Sequence, residues 1–143
     1  MTRKAYFSGA IATIVLAIGI GIFTVGGPNE ARREMFDLRR YEDLTQIARA
    51  LSCQNWRVLQ PTLPDALNLE TIRSYCGGVE IQAEALLDNE TGEPYVYSRT
   101  NEQEYSVCAD FHDAEKAMRL SYNRFGSMTS FNPQTGCVTG RVQ

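Results

Sequence analysis

The sequence predicts an α+β protein: a single N-terminal transmembrane helix, a long amphipathic helix packed on a small antiparallel sheet, and two disulfides. Three observations predict it. Ala5 to Val25 carries no charge and is long enough for a bilayer core about 30 Å thick, which takes roughly 20 helical residues. Beyond it, Met35, Leu38, Tyr41, Leu44, Ile47, Ala48 and Leu51 recur at spacings of three and four, one apolar helix face. Further on, "EYSVCADF" alternates Tyr105, Val107, Ala109 and Phe111 with Ser106, Cys108 and Asp110, the period of a half-buried strand.

The first element divides the chain into residues 1–4 as a cytoplasmic N-terminus, 5–27 as the membrane helix and 28–143 as an extracytoplasmic domain. A cleaved signal has a shorter apolar core and a small-x-small site, and "VGGPNEARRE" offers no convincing one, so a retained anchor is expected. Along it Ala5, Gly9, Thr13, Ala17 and Gly21 lie four apart, a stripe of small side chains on which another helix can dock closely. Gly and Ala are common in such helices, so composition alone is the competing explanation. Arg3 and Lys4 favour an inside N-terminus, while Arg32, Arg33, Arg39 and Arg40 argue the reverse. The cysteines decide: Cys53, Cys76, Cys108 and Cys137 all follow the apolar run, and an even number there reads as disulfides in an oxidising compartment.

Gly26, Gly27 and Pro28 break the first helix, and Asn29 is placed to cap the next, expected from about Glu30 to Cys53. "QPTLPDALN" is a loop; Asn68 caps a short helix, "LETIRSYC", ended by Gly77 and Gly78. Val79, Ile81 and Ala83 give a weak strand pattern. Pro94 to Phe111 reads as a β-hairpin whose strands flank "TNEQ". "DAEKAMRLSYNRF" is open between helix and loop, and "FNPQTGCVTGRV" is a turn into a last short strand.

Charge removes some functions. The chain has 14 basic and 17 acidic residues; without Arg3 and Lys4 the remainder carries −5. Such a domain has no electrostatic claim on nucleic acid or on an anionic membrane surface.

The stretches "DLRRYEDLTQIARAL", "DNETGEPYVY" and "EYSVCADF" together resemble a group of bacterial membrane-anchored proteins with D-P-x-T-G-x-P-Y-x-Y, then Y-x-L-C-A-x-F, then G-x-x-C. More distantly the chain is similar to type II secretion pseudopilins. The resemblance covers roughly Asp37 to Val138 and has Asn89 where the group has Pro. It implies a bacterial protein with an extracytoplasmic domain and a bond between Cys108 and Cys137. The pairing expected is therefore Cys53–Cys76 and Cys108–Cys137. With the retained apolar run, the expected location is the bacterial inner membrane, single-pass, N-terminus inside and domain periplasmic. Pseudopilins also carry an acid just inside the mature apolar run, and here none precedes Glu30.

No set of residues names a reaction. Asp88 to Glu93 supplies oxygens that calcium accepts, without EF-hand spacing; a solvated acidic turn explains it better. His112, near Cys108 and Asp113, has donors for zinc, yet strand geometry separates it from Cys108. No C-x-x-C or G-x-S-x-G is present. We therefore expect no catalytic residue, no metal ligand and no cofactor. Tyr95, Tyr97, Tyr105 and Phe111 are expected to pack on the long helix rather than to face a partner, and Trp56 is open between the two roles. The functional expectation is a non-catalytic accessory or structural subunit of an integral membrane complex, whether respiratory, photosynthetic, transport or envelope, with the lipid bilayer as its other partner. The alternative is a pseudopilin-like component of a secretion or pilus machine.

Overall fold

A computed structural model describes residues 2–25, 27–52, 62–75 and 81–142, and within its first helix the side chains of 8–21. Two compact units, Met1–Arg33 and Glu34–Gln143, divide the chain.

The first unit holds α1, Thr2–Val25. Among the described residues no helix is long and apolar enough to cross a membrane. The expected membrane span is corrected on that finding, and with it the single-pass inner-membrane location.

The long helix α2, Pro28–Leu51, starts two residues before its expected beginning. Pro28 suits a first helical position because its missing N–H is one of the donors left without an intrahelical acceptor there. Gly27 closes the turn: its carbonyl accepts from the N–H groups of Glu30 (3.0 Å) and Ala31 (3.3 Å), the role given to Asn29 from sequence. Tyr41, Leu44, Ile47, Ala48 and Leu51 are buried as the periodicity predicts. Met35 is not; it is 51% exposed, and Asp37 and Arg40 are buried on that stretch instead.

In the second unit a four-stranded antiparallel sheet takes the order β1-β2-β4-β3. The hairpin of β1 (Val96–Arg99) and β2 (Glu104–Cys108) forms around residues 100–103 as expected. The last segment differs. It contains two strands, β3 (Thr129–Asn132) and β4 (Cys137–Arg141), where one was expected. Gly136 at φ 66° makes their turn, a left-handed conformation that suits glycine. Alternate residues of β2 point inward, so Tyr105 and Val107 join Val138 of β4 and Leu44, Ile47 and Leu51 of α2 in one core. The Tyr105 hydroxyl donates to the Ala48 carbonyl at 3.3 Å, and its ring fills the space beside Gly140, its register partner.

Shorter helices cover the rest. α3, Leu69–Tyr75, is capped as expected: Asn68 Oδ1 accepts from the Thr71 N–H at 2.8 Å. Ala83–Leu86 forms a 3-10 turn with Ala85 and Leu86 buried; of the weak strand pattern, Ile81 and Ala83 are in no strand and Val79 lies outside the described residues. The open segment after the hairpin holds α4, Ala114–Leu120, whose Asp113 side chain accepts from the Lys116 N–H.

The expectation of two disulfides is corrected to one among the described residues, Cys108–Cys137. These two face each other in the β2–β4 register with their Cα atoms 4.0 Å apart. A link across 29 residues is worth about 3–4 kcal/mol in the chain-entropy account. Cys53, Cys76 and Trp56 lie outside the described residues.

Candidate functional site

Arg40 is the most heavily bonded charge among the described residues. It sits at 3% exposure on the inner face of α2, one turn after Asp37. Its Nε donates to Asp88 Oδ2 at 2.7 Å and its Nη2 to Asp88 Oδ1 at 3.2 Å, a two-pronged grip. Nη1 donates to Asp37 Oδ1 at 3.0 Å, and Nη2 also reaches Glu90 Oε2 at 2.6 Å.

The carboxylates are themselves held by other donors. Asp37 accepts from the backbone N–H groups of His112 (3.0 Å) and Asp113 (2.7 Å). Asp88 accepts from those of Glu90 (2.8 Å) and Thr91 (3.3 Å), which shapes the turn that Gly92 closes at φ 75°. Glu90 Oε2 meets His112 Nε2 at 2.9 Å.

Electrostatics follow from these bonds. Burial opposes the charge of Arg40, but its bonds to Asp88, Glu90 and Asp37 outweigh that, so the guanidinium is held even more firmly protonated than usual. Burial likewise opposes the Asp88 charge, and Arg40 and the backbone donors reverse the balance, holding its carboxyl below the usual range. His112 and then Arg40 lower Glu90.

Chemically this is a clamp. It fastens the 88–94 turn and the start of the α4 segment to α2, with every Arg40 nitrogen engaged. The acidic turn considered for calcium already holds a cation, the Arg40 guanidinium, against Asp88 and Glu90. Among the described residues no group of three or more His, Cys, Asp and Glu is arranged for a metal ion. His112 is placed in the clamp, away from Cys108, which is disulfide-bonded.

The expected aromatic group packs as predicted: Tyr95 and Tyr105 are in the core cluster with α2, and Tyr97 and Phe111 pack against it. The Tyr95 hydroxyl donates to Asp43 Oδ2 at 2.9 Å and the Tyr97 hydroxyl to the Pro64 carbonyl at 2.8 Å. Phe111 meets Phe131 edge-on at 5.6 Å.

Of the small-residue stripe, Gly9, Thr13, Ala17 and Gly21 are all exposed on α1, and the side chain of Ala5 lies outside the described residues. The Thr13 hydroxyl donates to the Gly9 carbonyl at 2.9 Å, a bond within the helix where one to a partner was considered.

Sequence reading missed the clamp. One signal was legible: Asp37, Arg40, Leu44, Ile47 and Leu51 follow the same three-four spacing as the core face. Compared with family models, curated proteins and solved structures, the chain matches none of them.

Proposed function

We propose that this protein is a non-catalytic accessory or structural subunit that joins a larger protein assembly through α1. The observation that carries the reading is the exposure of Ile11, Ile14, Val15, Leu16, Ile18 and Ile20, each between 56% and 65% exposed. A helix apolar on every face is stable in water only when something covers it. Gly9, Ala17 and Gly21 then allow a neighbouring backbone to come close. The clamp supports the same reading from the other unit, because its charged groups are spent on holding loops rather than offered to a substrate. A second reading, a pseudopilin-like component, is supported by the long helix α2 over a small antiparallel sheet. It is disfavoured by the lack of an acid before Glu30.

The test replaces Gly9, Ala17 and Gly21 with Leu in the full chain, which keeps α1 apolar and adds bulk along the stripe. The second unit should keep its far-UV circular dichroism and its Cys108–Cys137 bond, while co-purification with the assembly in mild detergent is lost. Unchanged co-purification would overturn docking through this stripe.

A further inference from the structure

Between α4, the 121–128 loop and β3 lies a cleft of about 550 Å³. Its floor is aromatic. Tyr41 meets Phe125 and Phe131 edge-on, both at 5.1 Å, and Phe125 stacks on Phe131 at 5.6 Å. Tyr41 is fully buried, but the two phenylalanines are only half-covered, so apolar surface remains open at the cleft. Its rim is cationic: Arg119 and Arg124 line it, both exposed, and among the described residues lining it none is acidic. In a domain that is acidic overall, two arginines over an aromatic floor are a local reversal of charge.

Arg124 is also fixed in place. Its Nη1 donates to the carbonyls of Ser121 (2.7 Å) and Asn123 (3.0 Å), so little freedom is left to lose on binding. Aromatic and arginine side chains are the residues that dominate binding at protein interfaces.

We propose that this cleft binds an extended acidic segment of a partner protein, its carboxylates on Arg119 and Arg124 and an apolar side chain on Phe125 and Phe131. The charge of the rim selects an acidic ligand. The shape selects a chain over a small molecule, because Thr129, Ser130 and Phe131 belong to an edge strand along which an extended segment can lie. The inference rests on the reading of this chain as a subunit that binds other proteins, and it names the partner's chemistry.

The experiment titrates the full chain, in detergent, with a capped heptapeptide of Glu and Asp around a central Phe. Two controls are used, one with Ser for the Phe and one with Lys for every acid. The acidic Phe peptide should bind at least tenfold tighter than either control, with amide shifts centred on Phe125 and Phe131. Arg119→Glu and Arg124→Glu should each weaken it tenfold or more. Arg124→Glu also breaks bonds that brace the loop, so Arg119→Glu, on the exposed side of α4, is the deciding variant. No binding, equal binding of the Lys peptide, or full affinity in Arg119→Glu would overturn the proposal. The two readings separate cleanly. Failed peptide binding with stripe-dependent co-purification removes only the cleft, whereas stripe-independent assembly with intact peptide binding removes docking through α1.

Discussion

Asp43 lies half-buried on α2, its carboxylate accepting the Tyr95 hydroxyl. Burial pushes it up to about 6 from 3.8, the Tyr95 bond opposes this, and the neighbouring Glu42 adds to it. A carboxyl raised in the folded state binds its proton more tightly there. Its contribution to stability is therefore complete below about 3.8 and is lost as pH rises through about 6. Asp43→Asn keeps an acceptor for Tyr95 and removes the charge. The variant should be the more stable protein above pH ~6, with the gap closing by pH ~4. Urea midpoints across that range test it, and a gap independent of pH would mean Asp43 is effectively solvated. None of this is visible in "RRYEDL", where Asp43 looks like one of several surface charges. Its burial depends on Tyr95, which arrives from 52 residues away.

Elements differ in how openly the sequence declares them. α2 and β2 are legible because each has one wet and one dry face over enough residues for a period to emerge. β3 is not, since "TSFN" is short, at the sheet edge and mostly polar, and it exists because β4 offers it a ladder. The clamp is illegible for another reason: a buried arginine reads as a surface one until its acids are located. Its energetics are testable. Arg40→Met is close in volume but strands Asp37, Asp88 and Glu90 without their shared cation. Removing one partner of a buried ionic set typically costs about 3–5 kcal/mol, and urea denaturation at pH 7 should find a loss of that order. A loss under about 1 kcal/mol would place the cluster with solvent-screened pairs. Asp88 and Glu90 are held below their usual values, so the clamp's contribution is present at neutral pH and lost as acid protonates them.

For the whole molecule, the division at Arg33 and Glu34 separates an apolar helix from a unit with its own core, clamp and disulfide. A chain beginning at Pro28 should therefore fold alone, with one cooperative thermal transition and coincident far- and near-UV signals. A transition that broadens or splits would mean α1 contributes to that core. The uneven spread of charge and cysteine along the chain made this partition readable, since apolar sequence occupies one end and all four cysteines the rest. The membrane-spanning role drawn from the same unevenness did not survive the structure, because hydropathy reports what a helix avoids and not what covers it.

The Arg40 clamp also governs the order in which the chain can assemble. Its acids stand 48 and 50 residues downstream, and the backbone donors that hold Asp37 stand 75 and 76 residues away. Only Asp37 is within local reach, so neither a forming α2 nor a forming hairpin can complete the set by itself. A guanidinium buried with some of its acceptors missing is worse placed than one left in water. The three segments must therefore dock in concert, and closures over such separations come late and slowly. The same requirement acts as a check on shape. A chain whose 88–94 turn were slipped by one residue would leave the arginine mismatched with its acids. On this argument the clamp should slow folding and widen the gap between the native arrangement and its nearest competitors, and faster refolding of Arg40→Met is the expected sign of it.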